Sequence, residues 1–283
     1  MLQFKHLSVK GSSELNEDAL VADSLRNVFG VIDGATSLSP YASADGKTGG
    51  YLASRLVAST IEGALQREDA MPLPDLLLMA NRALREEMLQ AGIDVKRKEQ
   101  LWCAGAAFVR ISSCGVEYAQ TGDCMIVAIY RDDTVRVITR DQLAEIDRET
   151  YRLWAEGVSL GLKARGELWA YVKSQIVRGR QSANTLDGYG VLNGDPSAGC
   201  FLEFGRLNRN HLKSLLLMTD GLYMPKRAGE PLFDAAETAG IIRQSDLCDY
   251  MKQVIEIEES DPECLVYPRV KKSDDKTAIW IDF

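Results

Sequence analysis

Apolar runs that meet an aspartate at one end constrain this chain more than any other feature. Two of them read VFGVIDG, closing on Asp33-Gly34, and LLLMTDG, closing on Asp220-Gly221. A third, KKSDDKTAIWIDF, has Asp274 and Asp275 just ahead of its apolar stretch. Each run reads as a buried strand, so its carboxylate sits at the edge of a low-dielectric core. A charge in that position needs a compensating partner. Asn16-Glu17-Asp18 and Gly122-Asp123 add further acids. A bound divalent cation is the economical partner for so many carboxylates. Mg²⁺ and Mn²⁺ are hard ions that prefer carboxylate and water oxygens.

Composition removes several alternatives. The 283 residues suffice for a sizeable core, and the net charge of −8 disfavours an extended nucleic-acid surface. Only His6 and His211 are present, so a three-histidine zinc site is impossible. Neither lies in a nucleophile motif, and both read as surface or structural residues. None of the six cysteines forms a Cys-x-x-Cys pair, which argues for reduced thiols, several of them in the core. The N-terminal stretch MLQFKHLSVKGSS lacks a signal-peptide core, and no run reaches the roughly 18 apolar residues of a membrane helix. The expectation is a soluble, cytoplasmic protein with no nucleic-acid or membrane partner.

The order of elements points to an α+β fold. Residues 2–9 alternate as a half-buried strand, and short strands follow around 19–22 and 28–32. Leu52, Leu56, Val57, Ile61 and Leu65 share one helical face between Lys47 and Gln66. Asp75 is placed to cap a second helix running to about Gln90. Residues 102–139 read as an antiparallel meander with hairpin-length turns. Residues 141–182 read as two helices, either an ordinary packing pair or a flap beside the site. Strands resume at CFLEF and SLLLMT, a helical stretch from about Asp234 to Glu259 breaks near Ser245, and TAIWIDF closes the chain. Strands grouped in hairpins favour antiparallel sheets flanked by helices over a doubly wound parallel sheet.

Two hard cations held roughly 3.5–4 Å apart can activate a water and clamp a phosphoryl group for in-line attack. Such a site needs a bridging carboxylate, further carboxylates and open positions, and no histidine. Gly34 permits a sharp turn after Asp33 and offers its carbonyl as one more oxygen ligand. A lone Asp-Gly is a common turn dipeptide, so the joint pattern carries the argument. Haloacid-dehalogenase-type phosphatases place a nucleophilic Asp two residues before an Asp-Gly-Thr. That position here is Val31, in Val31-Ile32-Asp33-Gly34-Ala35-Thr36, so a phospho-aspartyl route at this motif is disfavoured.

Taken in order, Asn16-Glu17-Asp18-Ala19, VFGVIDG, Thr121-Gly122-Asp123, LLLMTDG and Asp274-Asp275-Lys276-Thr277 resemble the PPM-type, protein phosphatase 2C-like metal-dependent phosphatases. The resemblance implies one domain over 1–283: a four-layer αββα sandwich, with the metal site at one end of its two antiparallel sheets. It implies hydrolysis of phosphoserine or phosphothreonine by a metal-bridging water, without a phosphoenzyme, on a phosphorylated protein such as a kinase target. Two Mg²⁺ or Mn²⁺ ions per chain are implied, with a third, weaker site. By motif, Asp33 would bridge the metals, Gly34 would give its carbonyl, and Asp220 and Asp274 would complete one shell. These three aspartates would thus be the catalytic set, acting through metal-held water. Asp18, with Glu17 beside it, would serve the second metal. Asp123 matches the third site, and Asp275 would stand behind the ligands. Residues 141–182 fall where the family carries a variable flap.

Two positions depart from the family pattern. Ser13 stands where many members have a phosphate-gripping Arg, and Ala35 where many have the His of Asp-Gly-His-Gly. Phosphate binding would then rest more on the metals, and leaving-group protonation on water or another group. The alternative these departures raise is a phosphatase-fold binding module of little or no activity that works through its flap.

Overall fold

The computed structural model describes residues 2–35, 38–39, 41–67, 71–231 and 233–283, so Thr36 lies outside the described residues. Ten strands form two five-stranded antiparallel sheets. In chain order they are β1 (Gln3–Val9), β2 (Ala19–Asp23), β3 (Val28–Ala35), β4 (Cys103–Ile111), β5 (Gly115–Thr121), β6 (Met125–Tyr130), β7 (Val135–Val137), β8 (Glu203–Asn208), β9 (Leu212–Met218) and β10 (Lys276–Asp282). One sheet runs β1-β10-β9-β6-β7 and the other β2-β3-β4-β5-β8. The helices are α1 (Gly49–Leu65), α2 (Leu73–Gln90), α3 (Ala144–Ser159), α4 (Arg165–Gln181), α5 (Ala235–Gln244) and α6 (Leu247–Ser260).

Period-two alternation builds four layers, as the sequence led us to expect. Phe29 and Val31 of β3 point inward with Val109 of β4, Ile126 of β6, Leu217 of β9 and Ile279 of β10, filling the space between the sheets. Val28 and Ile32 point the other way, onto Val57, Ile61, Leu76 and Leu84 of α1 and α2. On the opposite face, Val127, Leu216 and Ala278 pack on Ala239, Tyr250 and Val254 of α5 and α6. Among the described residues, no helix is long and apolar enough to cross a membrane.

Three local expectations are corrected. The meander breaks after its first hairpin: β5 pairs with β4 and β8, while β6 belongs to the other sheet beside β9. The reversal sits at Gly122, whose φ of 81° suits a residue without Cβ, and sends the chain across the sandwich at Asp123. Second, α2 starts ahead of Asp75. Pro72 occupies the cap, Pro74 lies in the first turn, and Glu117 Oε1 accepts the Leu73 N–H at 2.9 Å. Third, the CFLEF strand starts late, because Pro196–Phe201 coils into a tight helical turn before β8.

Helices α3 and α4 form a small pair with a core of their own. Trp154, Leu168 and Val172 pack with Cys264, and the Trp154 indole N–H donates to the Cys264 carbonyl at 2.8 Å. The pair is thereby docked on the segment that leads to β10. Residues of both helices also line the cavity described next.

Candidate metal centre

The two aspartate-tipped runs end side by side. Strand β3 delivers Asp33 and β9 delivers Asp220, one from each sheet, at the same end of the sandwich. The glycines that follow are required by close approach. A Cβ on Gly34 would stand 2.2 Å from the Gly50 carbonyl oxygen and 2.4 Å from that of Glu17. One on Gly221 would stand 1.8 Å from the Asp275 carbonyl oxygen. Gly34 lies within β3 and does not show the positive φ of a sharp turn, which corrects the turn role given to it above. Its carbonyl faces the first turn of α1, 2.8 Å from where a Gly50 side chain would begin.

Asp33, Asp123, Asp220 and Asp274 all line one cavity of about 1050 Å³. Residues of α3 and α4, of 220–231 with Phe233, and of 268–271 with Asp274 form its walls. Asp18 and Glu17 are buried behind it. Asp18 Oδ2 accepts the Thr219 hydroxyl at 2.9 Å, and a second bond comes from Thr277. Glu17 Oε1 accepts the Thr48 hydroxyl at 2.5 Å. Asp275 faces away from the cavity. Its two oxygens accept the backbone N–H groups of Gly11 and Glu17, both at 2.7 Å, and so tie the 274–275 turn to the Asn16-Glu17-Asp18 loop.

The carboxylates raise one another. Burial, then Asp220 and Asp18, push Asp33 well above the usual carboxylate range. Burial and Asp274 do the same to Asp18, and burial with Asp220 to Asp123. Asp220 is also raised, by burial and by Asp274, while a hydrogen bond with Asp33 and the Lys271 and Lys276 ammoniums pull it back. Its Oδ1 is buried and has no hydrogen-bond partner. An orphaned carboxylate oxygen amid mutually repelling carboxylates marks a place short of positive charge. An all-oxygen donor set of this kind suits Mg²⁺ or Mn²⁺. Among the described residues, no three His, Cys, Asp or Glu side chains stand close enough to hold an ion by themselves. Water completes the shells of such ions readily, so the residues present fit them.

Several participants carry no sequence signal of their own. Lys271 Nζ donates to Asp274 Oδ1 at 2.6 Å. Burial works against its charge, but Asp274 and Asp33 outweigh that and hold the ammonium protonated. Asp141, just ahead of α3, and Asp147, within it, both lie near Asp220 and Asp123. Burial pushes Asp141 up to about 6. The Tyr223 hydroxyl donates to the Asp123 carbonyl at 2.6 Å and holds the corner between the sheets. His6 and His211 are both exposed and distant from the cavity lining.

The family model for protein phosphatase 2C matches residues 8–262, which takes in Asp18, Asp33, Asp123 and Asp220. Asp274 lies beyond that span, and its membership of the site rests on the geometry above. The fold is similar to the serine/threonine phosphatase Stp1 from Staphylococcus aureus, at 15% identity and a TM-score of 0.60 over 100% of this chain and 95% of that one. It is similar to the Mycobacterium tuberculosis serine/threonine phosphatase PstP/Ppp, at 16% identity and 0.58 over 100% and 98%. The catalytic domain of PstP in complex with two manganese ions matches at 16% identity and 0.56, over 99% and 97%. No curated protein matches the sequence. With nine-tenths of its length under one family model and the same two-sheet architecture, the chain belongs to the protein phosphatase 2C family.

Proposed function

We propose that this chain is a divalent-cation-dependent phosphoprotein phosphatase acting on phosphoserine and phosphothreonine, in one domain with residues 141–182 as its flap. The observation that carries the reading is the Asp33–Asp220 pair on the cavity floor, with the Asp220 Oδ1 orphan at its centre. Asp33, Asp220 and Asp274 are assigned to one Mg²⁺ or Mn²⁺, and Asp33, the Gly34 carbonyl and Asp18 with Glu17 to a second. Asp123 is assigned to a weaker third. Bound there, such ions would supply an acidified water and Lewis-acid charge for attack on phosphorus without a phosphoenzyme. The manganese in the PstP structure supports the assignment.

The chain's own groups do the positioning. Thr219 holds Asp18, Asp275 holds the turn that presents Asp274, and the Lys276 ammonium bonds the Asp274 carbonyl at 2.8 Å. The Lys276 ammonium is itself anchored by buried Glu258 at 2.8 Å. Lys271 offers a protonated amine on the cavity wall, where a phosphate dianion needs compensating charge. Residues 141–180 and 220–231 with Phe233 contribute side chains to the lining around the site. A cytoplasmic role in signalling agrees with six cysteines that are all free thiols.

One observation favours a second reading, the weakly active or inactive binding module. The Lys271 ammonium already neutralises Asp274, a carboxylate assigned to a metal. Retention of the remaining carboxylates weighs against it, since without a cation they only repel one another. Hydrolysis of p-nitrophenyl phosphate and of a phosphothreonine peptide, with Mn²⁺ and with EDTA, separates the two. Metal-dependent turnover that disappears in Asp33→Asn supports the phosphatase. No turnover across Mg²⁺, Mn²⁺ and pH supports the binding module.

A further inference from the structure

The lining of the cavity extends past the aspartates and also carries several cations. Arg165, Arg227 and Lys271 all line it, together with Tyr151, Trp169 and Phe233. The three cations converge on one short segment, 267–271. The Arg165 guanidinium donates to the Val270 carbonyl at 3.4 Å, and the Arg227 guanidinium lies 5.3 Å over the Tyr267 ring. The segment is braced from behind. The buried Arg269 guanidinium bonds the carbonyls of Glu258, Tyr267 and Lys272 at 2.8, 2.9 and 3.0 Å and pairs with Asp261.

The pairing of the cations is uneven. Arg148, Arg152 and Lys226 also line the cavity, but each is engaged by a glutamate, at position 145, at 149 and 156, and at 237. Among the described residues, neither Arg165 nor Arg227 stands within ion-pair distance of a carboxylate, and both are exposed. Two guanidiniums therefore rest against the braced 267–271 segment with no carboxylate at ion-pair distance, while Glu263 Oε2 and Glu230 Oε2 accept the backbone N–H groups of Arg165 and Arg227, both at 2.8 Å. A guanidinium fork matches carboxylate and phosphate geometry. The chain as a whole carries −8 and repels an acidic peptide at long range, so a local cationic wall is what would let one dock.

We propose that Arg165 and Arg227 form a second anion subsite, which gives this chain a preference for phosphopeptides bearing acidic residues beside the phosphorylated one. This rests on the phosphatase reading of the same cavity and names its substrate class. The scissile phosphate goes to the carboxylate end, the neighbouring acidic side chains go to the two guanidiniums, and the aromatic wall of Tyr151, Trp169 and Phe233 covers the backbone between them.

The test uses the full chain with Mn²⁺ and fluorescent, non-hydrolysable phosphonate peptides in two forms, with aspartates or with asparagines flanking the phosphonate. Anisotropy at low salt is expected to show the aspartate peptide binding roughly five- to tenfold tighter, a gain that shrinks as salt rises. In Arg165→Gln/Arg227→Gln the difference is expected to fall to within about twofold, with the asparagine peptide little affected, and in Arg165→Lys/Arg227→Lys most of it is expected to remain. Equal affinities in the wild type would overturn the proposal. So would an undiminished preference in the glutamine variant, or its loss in both variants alike. Wild-type hydrolysis of p-nitrophenyl phosphate is measured alongside. An intact peptide preference without hydrolysis would refute the phosphatase reading and support this subsite alone.

Discussion

Asp141→Asn isolates the electrostatic tension of the site. Asp141 Oδ1 accepts the Leu143 N–H at 2.9 Å at the start of α3, a bond an asparagine can keep. The substitution therefore removes charge and leaves that turn hydrogen bond. Burial pushes this carboxyl from 3.8 up to about 6, with Asp220 adding to the effect. That interval, at about 1.4 kcal/mol per pH unit, corresponds to about 3 kcal/mol of cost in the metal-free protein at neutral pH. Asp141 opens partly onto the cavity, so a gain of about 1.5–3 kcal/mol is expected from Asp141→Asn in urea unfolding with EDTA at pH 7.5. The sign follows from proton binding. Between about pH 4 and 6 the folded chain holds a proton that the unfolded chain releases, so this group's contribution falls as pH rises through that window. Near pH 4 wild type and variant should differ by only about 0.5 kcal/mol. Saturating Mn²⁺ at pH 7.5 should shrink the gain, because nearby cations offset the same charge. An Asp141→Asn protein no more stable than wild type at pH 7.5, or stabilised equally at both pH values, would refute the reasoning.

Three further outcomes are expected. Asp275→Ala strands the buried N–H groups of Gly11 and Glu17 and should cost about 2–4 kcal/mol in urea unfolding, with Asp275→Asn losing about half; a loss below about 0.5 kcal/mol would show the loops are held otherwise. Gly34→Ala drives a methyl into the Gly50 and Glu17 carbonyls and should lower stability by about 2–4 kcal/mol along with Mn²⁺ affinity, so a variant matching wild type in both would contradict the packing described. Lys271→Met removes the ammonium from Asp274 and should tighten Mn²⁺ binding several-fold in calorimetry while raising the KM for a phosphopeptide; weaker Mn²⁺ binding would assign the lysine a different part.

The legible parts of the molecule are those that local physics decides. The strands ending at Asp33 and Asp220 show in the sequence because a buried run and its polar stop are contiguous. The four layers follow from that alternation and from the faces of α1, α2, α5 and α6. Pairings that cross the sandwich are not legible, because β5 meets β8 some 80 residues away and β6 chooses β9 through the corner at Gly122. The start of α2 is hidden because Glu117, from β5, supplies a partner for the Leu73 N–H and lets the helix begin ahead of Asp75, where local capping would start it. Gly34 reads as a turn glycine, but the need for it comes from α1 pressing on β3. Lys271, Asp141 and Asp147 carry no pattern at all. They reach the site from residues 141–147 and from the segment before β10, and long-range contacts such as Trp154 on the Cys264 carbonyl and Arg165 on Glu263 and Val270 bring those two pieces together.

Calorimetric titration of the full chain with Mn²⁺, beside Asp33→Asn and Asp220→Asn, addresses the central claim without requiring a substrate. The account predicts two binding events in the wild type and the loss of at least one in each variant, with both variants more stable than wild type in EDTA because a mutually raised carboxylate has been removed. No heat of binding up to millimolar Mn²⁺, or wild-type affinity in both variants, would contradict it.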